Sequence, residues 1–342
     1  LSIHFYDDQY DEYEDQYNTL HTDRRARRQR KPKTNHTPKK SYKAIIDDIA
    51  DAGGLEIGFV TTYQPGRFEE GWLLEALKPL YEQALITDVL AAVKGGKEAS
   101  VYRCEAHPAT DAHLIAAKVY RPRMFRNLRN DAMYREGREI LTERGKGVKA
   151  TEHRILRAIG KKTDFGEQVA HTSWLMHEYS TLQRLYAAGA AVPKPYGTSS
   201  NAIAMAYIGD ETSAAPPLID ITLESDEAPA LFREVIRNIE LMLKHGIIHG
   251  DLSAYNILYW EGEITLIDFP QVTSSIANGR AAPILERDIV RVCEYFAEQG
   301  VTSSGDLPCD PTIIMAKLWR RYLAKDKKQT LADVSRFETE SE

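Results

Sequence analysis

The sequence holds few cysteines and no long apolar run, and each shortage removes a class of protein. Cys104, Cys293 and Cys309 are the three cysteines in 342 residues; an odd number argues against a disulfide framework, and their scatter lacks metal-ligand spacing. They are expected to be reduced and structural. No apolar stretch approaches the roughly 20 residues needed to cross a bilayer, and the first residues are rich in Asp, Glu and Tyr where a secretory signal needs an apolar core. A cytoplasmic protein with no membrane partner is the expectation. Positive charge is not in excess either: the net charge is −6 at pH 7, so no global field for nucleic acid is expected.

That charge is unevenly placed. An acidic block, Asp7 to Asp15, is followed by a basic one from Arg24 to Lys33 that extends to Lys39 and Lys40. Adjacent blocks of opposite sign usually stay disordered, so residues 1–40 read as a charged tail. Arginine-rich segments can also fold on RNA, and the tail therefore reads either as a solvated appendage or as a contact to RNA or a ribosomal particle. Residues 331–342 read as a second charged tail. Between the tails the chain is long enough for two domains or one two-lobed unit. Thr62 to Leu85, with Trp72, Leu73, Leu77 and Leu80, predicts a helix packed on a core. Pro311 to Ala324 predicts an amphipathic helix with Ile314, Leu318 and Tyr322 on one face.

The most informative segment is Ile248-His249-Gly250-Asp251-Leu252-Ser253-Ala254-Tyr255-Asn256, followed after a short hairpin by Leu266-Ile267-Asp268-Phe269. Phosphoryl transfer from ATP needs Mg²⁺ to neutralise charge and a hydroxyl held in line, with little covalent chemistry asked of the protein. Asp251 suits the acceptor hydroxyl as base or orienter. Asn256 and Asp268 suit the metal, since one amide oxygen, one carboxylate and the phosphates make a reasonable shell for a hard cation. Ile257 to Trp260 and Ile264 to Ile267 flank Glu261-Gly262-Glu263, a tight turn that would return Asp268 towards Asn256. His245 and His249 are one turn apart, but Gly246 interrupts the helix that a zinc pair would require; His249 is expected to orient the loop.

ATP must also be gripped from the other side. Gly95 and Gly96, in Val93-Lys94-Gly95-Gly96-Lys97-Glu98-Ala99-Ser100-Val101-Tyr102, lie between two strand-like runs, where backbone can approach phosphate closely. Taken alone, this is a hairpin turn. Lys118, in the apolar strand Leu114 to Tyr120, suits the α and β phosphates, or is a snorkelling edge lysine. Glu178, on a helical pattern from Trp174 to Leu185, is the carboxylate expected to hold Lys118, with Glu152 and Glu167 as rivals. Asp164-Phe165-Gly166 spells a metal-binding triplet, but it precedes the catalytic cluster and is set aside.

Gly96-Lys97-Glu98-Ala99-Ser100-Val101-Tyr102, Ala117-Lys118-Val119-Tyr120, His249 to Asn256 and Ile267-Asp268-Phe269-Pro270-Gln271 together resemble the RIO family of atypical protein kinases, over about Trp72 to Phe296. Leu252-Ser253 after the aspartate resembles the first subfamily, and Asp268-Phe269-Pro270-Gln271 resembles the second. The resemblance implies an α+β, bilobal protein-kinase-like fold without the usual activation segment, spanning 41–330, with a small lobe of about 72–206 and a large lobe of about 207–330. It implies ATP and Mg²⁺ as ligands, and a serine/threonine kinase or ATPase switch acting on itself or on a protein acceptor. A role in small ribosomal subunit maturation is also implied. Gly96, Lys97, Glu98, Ala99, Ser100 and Val101 would cover the phosphates. Met205, Tyr207 and Ile208 would meet adenine, and Asp288 would brace the catalytic loop. The family's flexible loop maps onto Arg121 to Ser173, with Thr142, Thr151, Thr163 and Ser173 as phosphorylation candidates. Pro270 fixes its own φ, so an in/out flip of that segment is not expected. The rival readings are a small-molecule phosphotransferase of the aminoglycoside or choline kinase type, which needs a large acidic pocket after Asp268, and a non-catalytic ATP-binding scaffold.

Overall fold

The computed structural model describes residues 59, 61–96, 99–121, 140–142, 145–149, 152–161 and 163–323. The charged tails, Lys97, Glu98 and Thr151 lie outside the described residues. The fold is α+β and falls into two compact units, one of residues 1–127 with 196–205 and one of residues 128–195 with 206–342. The span of about 72–206 expected as a small lobe is thus divided between the two units.

In the first unit, helix α1 (Arg67–Glu82) precedes strands β1 (Ile86–Gly95), β2 (Ala99–Ala106) and β3 (Leu114–Tyr120). The expected apolar stripe is present: Leu73, Leu77 and Leu80 are fully buried against Val89, Tyr102 and Ile115, with Trp72 packed at the margin. Glu69 fixes how α1 sits. Its carboxylate accepts hydrogen bonds from the hydroxyls of Tyr102 on β2 and Tyr63, the latter at 3.1 Å, and reaches the N–H of the N-cap residue Gly66 at 3.4 Å. A buried phenol needs such a partner, and a carboxylate accepts it strongly.

The second unit begins, among its described helices, with α2 (His153–Gly160) and α3 (Asp164–Ala187). Within the stretch expected as a flexible loop these helices take residues 153–160 and 164–173, so the Glu178 helix starts ten residues before Trp174; residues 122–139 of that stretch lie outside the described residues. The start of α3 is built locally. Thr163 is the N-cap, and its hydroxyl accepts the N–H of Gly166 at 3.1 Å. Gly166 is a packing glycine, because a Cβ there would come within 2.1 Å of the Ala158 carbonyl oxygen. The misleading Asp-Phe-Gly triplet is therefore the first turn of a helix that crosses α2 closely.

Strands β4 (Pro195–Thr198) and β5 (Ala202–Ala206) complete a five-stranded sheet of order β1-β2-β3-β5-β4. After it come α4 (Ala228–Lys244), β6 (Ile247–Ile248), the hairpin β7 (Ile257–Trp260) and β8 (Glu263–Leu266), β9 (Thr273–Ser274), α5 (Ala281–Glu298), β10 (Ser303–Ser304), β11 (Leu307–Pro308) and α6 (Pro311–Leu318). The helix read from Pro311 changes character at Trp319, where a π turn runs to Leu323. The wider turn shifts the buried face by one position, so Leu323, five residues after Leu318, is buried and Tyr322 is not.

Gly166→Ala tests the α2–α3 crossing. Alanine improves helix propensity by about 1 kcal/mol, but overpacking against backbone costs about 1–3 kcal/mol, so the net effect is destabilising. The expected outcome is faster amide exchange across α2 and a lower urea midpoint; an unchanged exchange rate contradicts the close packing.

Candidate active site

The segment from His249 to Asn256 leaves β6 and must present side chains without a strand or helix to hold most of its backbone. Two devices shape it. Gly250 takes φ +84°, a left-handed conformation that a side chain disfavours. The 3₁₀ turn Ala254–Asn256 then brings Asn256 back, with its N–H donating to Ser253 O at 3.0 Å.

From Asn256 the chain enters β7 and returns through β8. The loop between them is Glu261-Gly262, both at positive φ, in the two-residue turn that matches strand twist. Ile267 N–H then donates to Asn256 O at 3.0 Å, so Asp268 follows a residue bonded directly to Asn256. Asp268 itself adopts φ +69°, costly for a residue other than glycine. The expected return of Asp268 towards Asn256 is what the hairpin accomplishes.

Hydrogen bonds orient the remaining groups. Asn256 donates through Nδ2 to Asp251 O at 2.9 Å and to Asp251 Oδ2 at 3.4 Å, so the donor end of the amide is turned to Asp251, and Oδ1 is the amide atom with the chemistry to ligate a cation. His249 sits between the Asp251 segment and the Asp268 segment. Its Nδ1 accepts the N–H of Asp251 at 3.3 Å, and its Nε2 lies 3.1 Å from Ile267 O. A backbone N–H can only donate and a carbonyl can only accept, so the proton is on Nε2. The ring also packs on Phe269, with centroids 4.8 Å apart, and Phe269 is buried.

Helix α5 clamps the loop from behind. Asp288 Oδ2 accepts the N–H of Gly250 at 2.8 Å, as the brace role requires, and Arg287 donates to Gly250 O. Arg291, 1% exposed, donates from Nη1 to Asp251 Oδ1 at 2.7 Å. Burial pushes the Asp288 carboxyl up from its ordinary range, against the pull of Arg287. Sequence reasoning missed Arg287 and Arg291. The available signal was an arginine within the stripe Leu285, Asp288, Ile289, Val292 and Phe296, where a charge must have a buried partner.

The structure therefore gathers Asp251, Asn256 and Asp268 in the second unit. Glu178, buried on α3, belongs to the same unit, as do Tyr207 and Ile208. Gly96, Ala99, Ser100, Val101, Lys118 and Met205 belong to the first. There Lys118 is paired across strands with Val101, and its Nζ lies 5.3 Å from the centre of the Tyr120 ring. Gly96 donates to Ala99 O at 2.9 Å, and a Cβ at Gly96 would meet that same oxygen at 2.9 Å. The chain passes from the first unit to the second between Met205 and Ala206. Ser173, one of the phosphorylation candidates, is buried and accepts the N–H of Leu141 at 2.9 Å.

No group of three or more His, Cys, Asp or Glu side chains able to hold a metal occurs among the described residues. One amide oxygen and one carboxylate instead fit a cation that completes its shell with phosphates and water, the usual habit of Mg²⁺. No helix among the described residues is long and apolar enough to cross a membrane.

The Arg291–Asp251 pair yields a double-mutant test. Arg291→Met leaves a buried carboxylate without its cation and is expected to cost about 3–5 kcal/mol. Arg291→Met combined with Asp251→Asn is expected to cost less than Arg291→Met alone, measured by urea unfolding. Strict additivity would contradict the pairing.

Residues 101–307 match a family model described as the RIO domain. A RIO-type serine/threonine-protein kinase Rio1 of Haloferax volcanii is 30% identical over 217 residues, covering 63% of this chain and 65% of the relative. Rio1 of Thermoplasma acidophilum, described in the same words, is 36% identical over 133 residues, covering 39% of this chain and 68% of the relative. Serine/threonine-protein kinase RIO1 of Chaetomium thermophilum is 30% identical over 235 residues, covering 65% and 42%. The chain thus spans just under two thirds of the Haloferax relative and under half of the Chaetomium one. The matched span takes in Lys118, Asp251, Asn256, Asp268 and the α5 clamp, and the chain belongs to the RIO domain family.

Proposed function

We propose that this chain transfers the terminal phosphoryl group of ATP, with Mg²⁺, to a serine or threonine hydroxyl, its own or that of a protein acceptor. The observation that carries the reading is the convergence of Asp251, Asn256 and Asp268 on one loop and hairpin, supported by relatives that are each called serine/threonine-protein kinase.

In this reading Asp251 orients the acceptor hydroxyl and takes its proton late in transfer. Its Oδ1 accepts from Arg291 and its Oδ2 from Asn256 Nδ2 at 3.4 Å, so the carboxylate is aimed before a hydroxyl arrives. Asn256 Oδ1 and the Asp268 carboxylate hold the metal, which when bound neutralises charge on the phosphates. Lys118 steadies the α and β phosphates and is itself held by Glu178. The backbone from Gly96 to Val101 covers the phosphates, and Met205, Tyr207 and Ile208 meet the adenine. Water in place of the hydroxyl would make the same site an ATPase. The cytoplasm is the proposed location, and the basic segment Arg24 to Lys40, outside the described residues, is the proposed contact to RNA or a ribosomal particle.

Incubation with γ-labelled ATP and Mg²⁺ tests the assignment. Asp268→Ala is expected to reduce labelled product to the no-enzyme level. Asp251→Asn, which keeps a partner for Arg291, is expected to lower transfer about 10²- to 10⁴-fold, the scale of a positioned acid or base. Equal labelling by wild type and both variants refutes the roles.

A further inference from the structure

Two of the three thiols are neighbours, although 16 residues separate them in the chain. Cys293 lies on α5 and is 2% exposed, whereas Cys309, between β11 and α6, is partly exposed. The Cys309 S–H donates to Cys293 O at 3.4 Å. Its position is built: the Cys309 N–H donates to Thr302 O at 2.9 Å, and the following Asp310 caps α6 by accepting the N–H groups of Thr312 and Ile313 at 2.8 and 3.0 Å.

The two sulfurs also differ in surroundings. A hydrogen bond from Cys293 holds the Cys309 thiol below its ordinary range, while that same bond and burial push the Cys293 thiol up. Cys309 is also the one that solvent reaches, so it is the sulfur placed to attack a small oxidant. Cys104, in the first unit, is fully buried and pushed up by that burial. An accessible thiol that attacks as its thiolate, beside a second thiol, is the arrangement that reacts with peroxide and then resolves.

We propose that Cys293 and Cys309 form a reversible oxidation site that takes a small hydroperoxide as its oxidant and closes to a disulfide joining α5 to the start of α6. The Cys309 thiolate attacks the terminal peroxide oxygen, the O–O bond breaks, and the alkoxide or hydroxide leaves and takes up a proton. The product is a sulfenic acid on Cys309. The Cys293 sulfur then attacks that sulfur, its S–H proton goes to the departing hydroxyl, and water leaves. In sum, two thiols are oxidised to one disulfide and one hydroperoxide is reduced to an alcohol, or water, plus a further water. Neither step uses ATP or the phosphoryl-transfer residues, so this site stands or falls independently of the proposed kinase activity.

The test uses the intact reduced chain, treated with hydrogen peroxide near stoichiometry, alkylated under denaturing conditions and mapped by mass spectrometry with and without dithiothreitol. The expected result is loss of two of the three thiols, a peptide linking Cys293 to Cys309 within one chain, retention of Cys104 as a thiol, and recovery of both thiols on reduction. Cys309→Ser is expected to slow thiol loss at Cys293 at least about tenfold, and Cys293→Ser to leave a sulfenic acid on Cys309 that dimedone captures. A Cys309 that stays free, proceeds to sulfinic acid without linking, or pairs only between chains overturns the proposal. The wild-type peptide map decides this even if a serine variant fails to fold.

Discussion

The loop from His249 to Asn256 depends on one contact face, the side of α5 that carries Arg287, Asp288 and Arg291. A segment that leaves the hydrogen-bond ladder of β6 before any helix begins has backbone groups to satisfy and a carboxylate to aim. Asp288 and Arg287 take the N–H and the carbonyl of Gly250, and Arg291 takes the carboxylate of Asp251. Two anions and two cations are brought together with little water around them. Desolvation costs several kcal/mol per ion and is offset only by well-formed pairs, so the arrangement favours one loop geometry over nearby alternatives more than it adds to overall stability. His249 extends the constraint to Ile267 and Phe269 and so ties the loop that carries Asp251 to the turn that carries Asp268.

The same device, one charge serving several partners, recurs in the first unit. Glu69 receives Tyr63, Tyr102 and the backbone at Gly66, which seats α1 on the sheet. Apolar burial drives that contact, but Leu73, Leu77 and Leu80 would tolerate some sliding. The hydroxyl of Tyr102 has one acceptor to meet, and this fixes the register of helix on strand.

Local chemistry explains which parts were readable from the residues alone. The β7–β8 hairpin was legible because Gly262 and its neighbours spell a turn with positive φ, and α1 because its leucines repeat at helical spacing. The cluster of Asp251, Asn256 and Asp268 was legible as a pattern since short loops and one hairpin connect them, leaving little freedom for separation. Arg291 was not. Its partner is 40 residues away, and no local rule relates a helix position to a loop carboxylate. The early start of α3 was hidden for another reason: Gly166 reads as a helix breaker unless one knows that α2 passes too close for any larger side chain. At Trp319 the helical period itself changes, which a constant repeat cannot anticipate.

The strand order has a consequence for how this protein can be cut or made. β5 is inserted between β3 and β4, and Tyr120 N–H is bonded to Asn201 O, so the sheet's interior is finished by residues that emerge from a ribosome some 80 positions after β3. Until then β3, with Ile115, Ala117 and Val119 destined for burial, is an uncovered edge of the kind that recruits other chains. Expression fragments ending anywhere between Tyr120 and Asn201 would carry that sticky border permanently, and a chaperone holding the nascent chain would have to shield it for the interval.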